Sequence, residues 1–232
     1  MKKIFAITTV RNEGDIIESF CRYNLTYCDG LLLYERESSD NTRAIIEKLI
    51  AEGLPIILEY DPSIVYSENR DLIDIMAQRV IDEFGADLVV PLDADEFLYH
   101  IDGINPRETL EGLREDVEYR ALWRTYIYEK EPTVELGFLP NNFTHYRNPT
   151  LELHTKVLVG RPLINEKRAS IAPGKHFLTY PNGGNTETVT VEKLPNLVYA
   201  HFPLRSKPQI MSKSIPNWIH KWKTPFPIRN LS

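Results

Sequence analysis

The chain has 232 residues, 42% of them hydrophobic, with a formal net charge of −6 and a pI of about 5.6. That supports one sizeable core and, with no Lys/Arg run, excludes the electrostatic footprint of a nucleic-acid binder. No apolar run approaches the ~20 residues needed to span a bilayer.

Residues 1–10 imitate a secretion signal, two lysines and then an apolar stretch, but Arg11, Asn12 and Glu13 follow at once and no cleavage site does. Residues 3–10 therefore read as a first β-strand. Residues 15–27 carry apolar side chains near helical period, with Asp15 and Glu18 spaced as a capping box. Cys21 in that segment and Cys28 just after it read as two reduced, partly buried thiols, which fits a reducing, cytoplasmic setting. Residues 31–35 are predicted strand. Residues 40–52 are predicted helix, capped by Ser38, Ser39 and Asp40 and stopped by Gly53. Strand 55–60, helix 67–84 and strand 87–92 follow. This βαβαβαβ order predicts an α/β fold: a mostly parallel, Rossmann-related sheet flanked by helices.

Beyond residue 105 the alternation stops. Asn105-Pro106-Arg107-Glu108 opens a short helix, and β-like segments are predicted at 119–128, 154–159, 186–191 and 197–201. Residues 106–232 read as an irregular, β-containing extension that completes the domain begun by 1–105 and selects the second substrate. His100 reads as a surface residue. Residues 215–223 pair aromatic with cationic side chains and read as a helix packed on the domain, with contact to a membrane surface as the alternative. Pro225-Phe226-Pro227 near the end reads as the edge of a longer protein or of a shortened one.

In such a sheet, ligands bind beyond the carboxyl ends of the strands. Four polar clusters fall there: residues 8–13, 35–42, 61–70 and 93–96. In the last, Asp93-Ala94-Asp95-Glu96 places two carboxylates at i and i+2, on one side of a strand end. That is half of an oxygen site for Mg²⁺ or Mn²⁺, with positions left for phosphate oxygens. The alternatives are a solvated acidic turn and a phosphatase of the haloacid dehalogenase type, which also places Asp-x-Asp after a strand.

Three stretches carry a resemblance: Thr9-Val10-Arg11-Asn12-Glu13-Gly14-Asp15-Ile16-Ile17, Glu35-Arg36-Glu37-Ser38-Ser39-Asp40-Asn41-Thr42 and Leu92-Asp93-Ala94-Asp95-Glu96-Phe97. Together they resemble glycosyltransferase family 2 and its relatives of the GT-A fold. The resemblance implies a nucleoside-diphosphate sugar, UDP- or GDP-linked, a divalent metal, and a glycan or glycolipid acceptor. Thr9 and Arg11 would lie beside the base and ribose, and Glu35 would accept a hydrogen bond from the nucleoside. Asn69 and Arg70 would approach the donor, and Arg205 and Lys213 the diphosphate. Asp93 would reach the ribose or the metal, Asp95 would ligate the metal, and His201 would be a further ligand. Glu96 would contact the sugar or acceptor, or orient Asp95. If transfer inverts, a carboxylate must take the acceptor proton; Glu131 is the candidate. His154 and His176 are ambiguous between ligand and structural roles. Competing readings are a sugar nucleotidyltransferase and a non-catalytic nucleotide-sugar or glycan binder.

Overall fold

The computed structural model describes residues 1–60, 69–127, 140, 143, 145–147, 154–181, 189–206 and 209–211, with 69–71 described by backbone only. Eleven strands and five α-helices lie in this part: β1 (Ile4–Val10), α1 (Ile17–Asn24), β2 (Gly30–Glu35), α2 (Thr42–Ala51), β3 (Ile56–Glu59), α3 (Asn69–Asp82), β4 (Leu88–Pro91), β5 (Glu96–His100), α4 (Pro106–Gly112), β6 (Glu118–Ile127), β7 (His145–Tyr146), β8 (Thr155–Gly160), α5 (Arg161–Asn165), β9 (Ser170–Ile171), β10 (Leu178–Thr179) and β11 (Val191–His201).

One sheet runs β3-β2-β1-β4-β8-β6-β11-β5, with β7 on the edge of β6. The β3, β2, β1 and β4 strands are mutually parallel. They are joined through α1, α2 and α3, as crossover connections require. β8 pairs antiparallel with both β4 and β6, and β11 runs parallel to β6 and antiparallel to β5. The strands of the second half therefore extend the sheet of the first.

The alternation of β1 explains the layers. Ile4, Ala6 and Val10 join a core with Ile17, Phe20 and Cys21 of α1 and Ile46 and Leu49 of α2. Phe5 and Ile7 point the other way, into a second core with Met76, Ala77 and Val80 of α3 and Leu163 of α5. A strand buried on both faces reads as a continuous apolar run, as 4–7 does. Both cysteines are buried free thiols, and burial pushes Cys21 up to about 12. β8 enters beside β4 at Gly160, where an added Cβ would lie 1.9 Å from the Glu115 carbonyl oxygen. Only glycine permits that approach.

Several local expectations differ. The predicted capping box does not form: α1 starts at Ile17 without a side-chain cap, Asp15 pairs with Arg205, and Glu18 pairs with Arg22. The strand predicted at 197–201 begins earlier, as β11 from Val191, and its register with β6 shifts between Leu194 and Val198, around Pro195; of the strand predicted at 186–191 only Val191 is in β11, and 186–188 lie outside the described residues. His100 is buried rather than on the surface, with its Nδ1 accepting from the Asp102 amide at 3.2 Å. The segment 215–223 lies outside the described residues. No described helix is long and apolar enough to cross a membrane.

Candidate active site

The loops after β1 and β2 are laced together at the carboxyl edge of the sheet. Val10 and Glu35 end their strands in register. Asn12, in the left-handed region (φ 53), donates its amide to Ser38 Oγ at 3.0 Å and accepts from the Ser39 amide at 2.8 Å. The Glu13 amide donates to Thr42 Oγ1 at 2.8 Å, and the Gly14 amide to Asp40 Oδ2 at 3.0 Å. Asp40 also accepts from the Thr42 amide at 3.0 Å, so it holds the first turn of α2. Ser38 and Ser39, expected as helix caps, instead fasten one loop to the other. Thr9 and Arg11 stand beside this seam, Thr9 partly buried and Arg11 exposed. Glu35 is buried and accepts from the Ser38 amide at 2.6 Å, so one of its oxygens shapes its own loop.

At the tip of β4, Asp93 is held by two lysines. Lys156 Nζ donates to Oδ2 at 2.7 Å, and Lys175 Nζ donates to Oδ1 at 2.6 Å. Lys156 lies on β8 and is 1% exposed. Lys175 follows Gly174 in a turn where both residues have positive φ, 78° and 61°. The left-handed region is uncommon for a lysine and marks a side chain aimed at a particular target; its Nζ also donates to the Leu92 carbonyl at 2.6 Å. Burial alone would raise Asp93, but the charges of Lys175 and Lys156 outweigh it and hold the carboxyl far below its usual range. Its side chain remains 45% exposed, so its outer edge faces the rim.

Glu96 opens β5 and is fully buried. It accepts from Trp123 Nε1 at 2.7 Å, from Lys156 Nζ at 2.8 Å and from the Asp93 amide at 2.9 Å. All three donors come from within the protein, and none of its surface is exposed. Burial, reinforced by the Asp93 charge, pushes Glu96 up to about 7 despite Lys156 and Lys175. Its pKa is raised on folding, so its contribution to stability is full below the ordinary value and is lost as pH rises through about 7. Asp93, depressed, works in the opposite sense and only at much lower pH. Glu96→Gln is therefore expected to gain stability relative to wild type as pH rises from about 5 to about 7.5, measured by urea unfolding at both ends. A difference independent of pH would count against a buried, proton-holding Glu96.

Arg205 joins the two halves of the site. It is 1% exposed. It donates to Glu13 Oε2 at 2.5 Å, to both Asp15 oxygens at 2.9 and 3.0 Å, to Asp95 Oδ2 at 3.3 Å and to the Phe202 carbonyl at 2.9 Å. Expected as a diphosphate ligand, it is spent on fixing three carboxylates. Asp95 Oδ1, on the side away from Arg205, faces His201 Nε2 at 3.6 Å. The His201 ring stacks on Trp123 with centroids 4.6 Å apart, and β11 places it beside β5 and β6.

A divalent cation fits this geometry in part. Asp95 and His201 present an oxygen and a nitrogen to one space, and a catalytic Mg²⁺ or Mn²⁺ commonly takes one or two protein ligands plus phosphate oxygens and water. Each Asp93 oxygen already accepts from one lysine ammonium, so two fixed cations stand where a metal ion would add further positive charge. Among the described residues no group of three or more His, Cys, Asp or Glu is arranged to hold a metal. Glu131 and Lys213 lie outside the described residues, and for Asn69 and Arg70 only the backbone, at the start of α3, is described.

The residues that sequence reasoning missed are Lys156, Lys175, Trp123, Glu13 and Asp15. Lys156 carried a signal: one cation leading the apolar run Val157-Leu158-Val159 must find a buried counter-charge. Lys175 carried a weaker one, a cation directly after Pro173-Gly174.

No protein-family profile and no curated protein matches the chain. Solved structures do. GalNAc-T7, determined with UDP, GalNAc and Mn²⁺, is 12% identical with a TM-score of 0.53, over 89% of this chain and 45% of that one. A mannosyltransferase from Pyrobaculum calidifontis, in complex with GDP-Man and Mn²⁺, is 14% identical with a TM-score of 0.48, over 86% of this chain and 56% of that one. The 4-diphosphocytidyl-2C-methyl-D-erythritol synthase of Anaerococcus prevotii is 14% identical with a TM-score of 0.45, over 96% and 97%. The chain thus spans about half the length of the two transferases. The likeness to GalNAc-T7, with the strand order above, shows the architecture: a curled GT-A-like, Rossmann-related sheet flanked by helices.

Proposed function

We propose that the protein is a metal-dependent glycosyltransferase that moves a sugar from a UDP- or GDP-linked donor to a glycan or glycolipid hydroxyl, with inversion, in the building of a polysaccharide or glycolipid. The observation that carries this reading is the pairing of Asp95 Oδ1 with His201 Nε2 at 3.6 Å, at the strand-end rim where the first two loops are tied together. The placement of this pair in a GT-A-like sheet supports it, and a structural relative binds UDP and Mn²⁺.

Asp95 and His201 would hold Mn²⁺ or Mg²⁺, and that ion supplies charge to the departing diphosphate. Arg205 fixes Asp95 and leaves Oδ1 toward His201. Asp93, charged and rigidly paired, presents its exposed edge to hydroxyls of the donor ribose. Thr9, Arg11 and Glu35 line the seam where the nucleoside would lie, and Asn69, Arg70 and Lys213 remain candidates for the phosphates.

The test is a thermal-shift series with UDP, GDP and their sugars, with and without Mn²⁺. A metal-dependent rise with one of the diphosphates is expected, because a ligand at about 100 times its Kd stabilises by roughly 2.7 kcal/mol. Asp95→Ala is expected to abolish the metal-dependent part. A nucleotide response unchanged by Asp95→Ala would remove Asp95 from the metal, and binding without turnover over a broad acceptor panel would make the protein a binder.

A further inference from the structure

Resting on that reading, the described acidic cluster of Glu13, Asp15, Asp93, Asp95 and Glu96 supplies no base for the acceptor. Its described carboxylates are committed: Asp93 to Lys156 and Lys175, Glu96 to Lys156 and Trp123, and Glu13, Asp15 and Asp95 to Arg205. The carboxylates held charged by a fixed cation are poor proton acceptors, and Glu96, whose carboxyl is raised, is fully buried and out of reach of a hydroxyl.

Beside them lies a row of rings. His154 and His176 stack with centroids 5.0 Å apart, and both meet the Trp123 edge-on, at 6.0 and 6.3 Å. Trp123 in turn stacks on His201. His176 directly follows Lys175, which reaches Asp93, so the row borders the proposed donor site. His176 is half-buried, and its Nδ1 sits 2.7 Å from the Thr155 carbonyl oxygen. A carbonyl only accepts, so Nδ1 carries the proton and Nε2 keeps its lone pair. Gly174 packs close beside that nitrogen: a Cβ there would lie 2.7 Å from it, so a side chain at this position would press on Nε2.

We propose that His176 Nε2 is the proton acceptor for the incoming hydroxyl. The hydroxyl O–H bond breaks and its proton passes to Nε2. The oxygen pair forms the new bond to the sugar carbon, while the bond from that carbon to the diphosphate breaks and leaves its pair on the nucleoside diphosphate. The charged and titratable groups facing His176 are Lys156 and His154 from β8 and its approach, Asp93 from the β4 tip and Lys175 from its own turn. Burial, then Lys156 and His154, lower the imidazole against the opposing pull of the Thr155 carbonyl and Asp93, which keeps it neutral at physiological pH.

The experiment uses the full chain, Mn²⁺ and UDP-glucose or GDP-mannose with water as acceptor, reading released nucleoside diphosphate. His176→Gln and His176→Asn are expected to lower the rate about 10²–10⁴-fold and leave the nucleotide thermal shift unchanged. Wild type is expected to lose rate as pH falls through the imidazole range, and the variants to lack that limb. A wild-type rate in His176→Gln, or loss in Glu131→Gln instead, overturns the proposal. Nitrogen NMR of the histidine rings gives a second readout: a neutral Nδ1–H form is expected, and an Nε2–H or charged ring at neutral pH overturns it. No thermal shift with any nucleoside diphosphate overturns the function proposed above, and this step with it.

Discussion

Lys156→Met is expected to destabilise the protein by about 3–5 kcal/mol, the usual result of removing one partner from a buried ion pair. The residue is 1% exposed and its ammonium bridges two carboxyl groups, Asp93 at 2.7 Å and Glu96 at 2.8 Å. Burial would lower its ammonium, but Glu96 and Asp93 outweigh that and raise it, so the lysine stays charged. Methionine has a similar shape, so packing is nearly kept and the loss reports the charge. Chemical denaturation with a two-state fit measures it. Adding Glu96→Gln is expected to restore part of the loss, since one uncompensated carboxylate then disappears. Lys175→Met is expected to cost less, because its carboxylate partner, Asp93, is 45% exposed and water can replace the ammonium. A Lys156→Met loss below about 1 kcal/mol would contradict the two-carboxylate role.

Arg205→Leu is expected to cost a similar amount, about 3–5 kcal/mol, and to affect the site more widely. Glu13, Asp15 and Asp95 would face one another without a counter-charge. Arg205→Lys is expected to recover little. One ammonium cannot reproduce a planar fork that meets three carboxylates and a carbonyl at once. The loop after β1 would part from the β4 tip, so the Mn²⁺-dependent nucleotide shift is expected to vanish in both variants. Measuring that shift at a temperature where the variant is folded separates the two effects. An Arg205→Lys protein with wild-type stability and response would show that the fork is dispensable.

Much of the fold was legible in the chain because it rests on local signals. The apolar runs of β1, β2 and β4 and the periodic helices between them are written in consecutive residues. Convergence of the first, second and fourth loops followed from the rule for parallel sheets. What was not legible depends on pairings across long stretches of sequence. Asp93 and Asp95 read as bare carboxylates awaiting a metal because Lys156, Lys175 and Arg205 lie so far along the chain. Asp15 and Glu18 had the spacing of a cap, yet tertiary charge claimed Asp15. Residues 192–196 were not read as strand because Pro195 interrupts the pattern, while the register shift carries β11 past the break.

Those separations have a consequence for biogenesis. The contacts that neutralise the acidic tip span 63, 82 and 110 residues, and Arg205 reaches Glu13 across 192. A nascent chain that has emerged only as far as β5 carries an open β4 edge and several mutually repelling carboxylates. β8 cannot close that edge until residue 160 has emerged, nor Arg205 quench the charge until residue 205 has. Long-range closure of this kind slows folding and exposes sheet edges during it. The parallel half is thus expected to mature late, its acidic rim uncompensated until the later cations arrive.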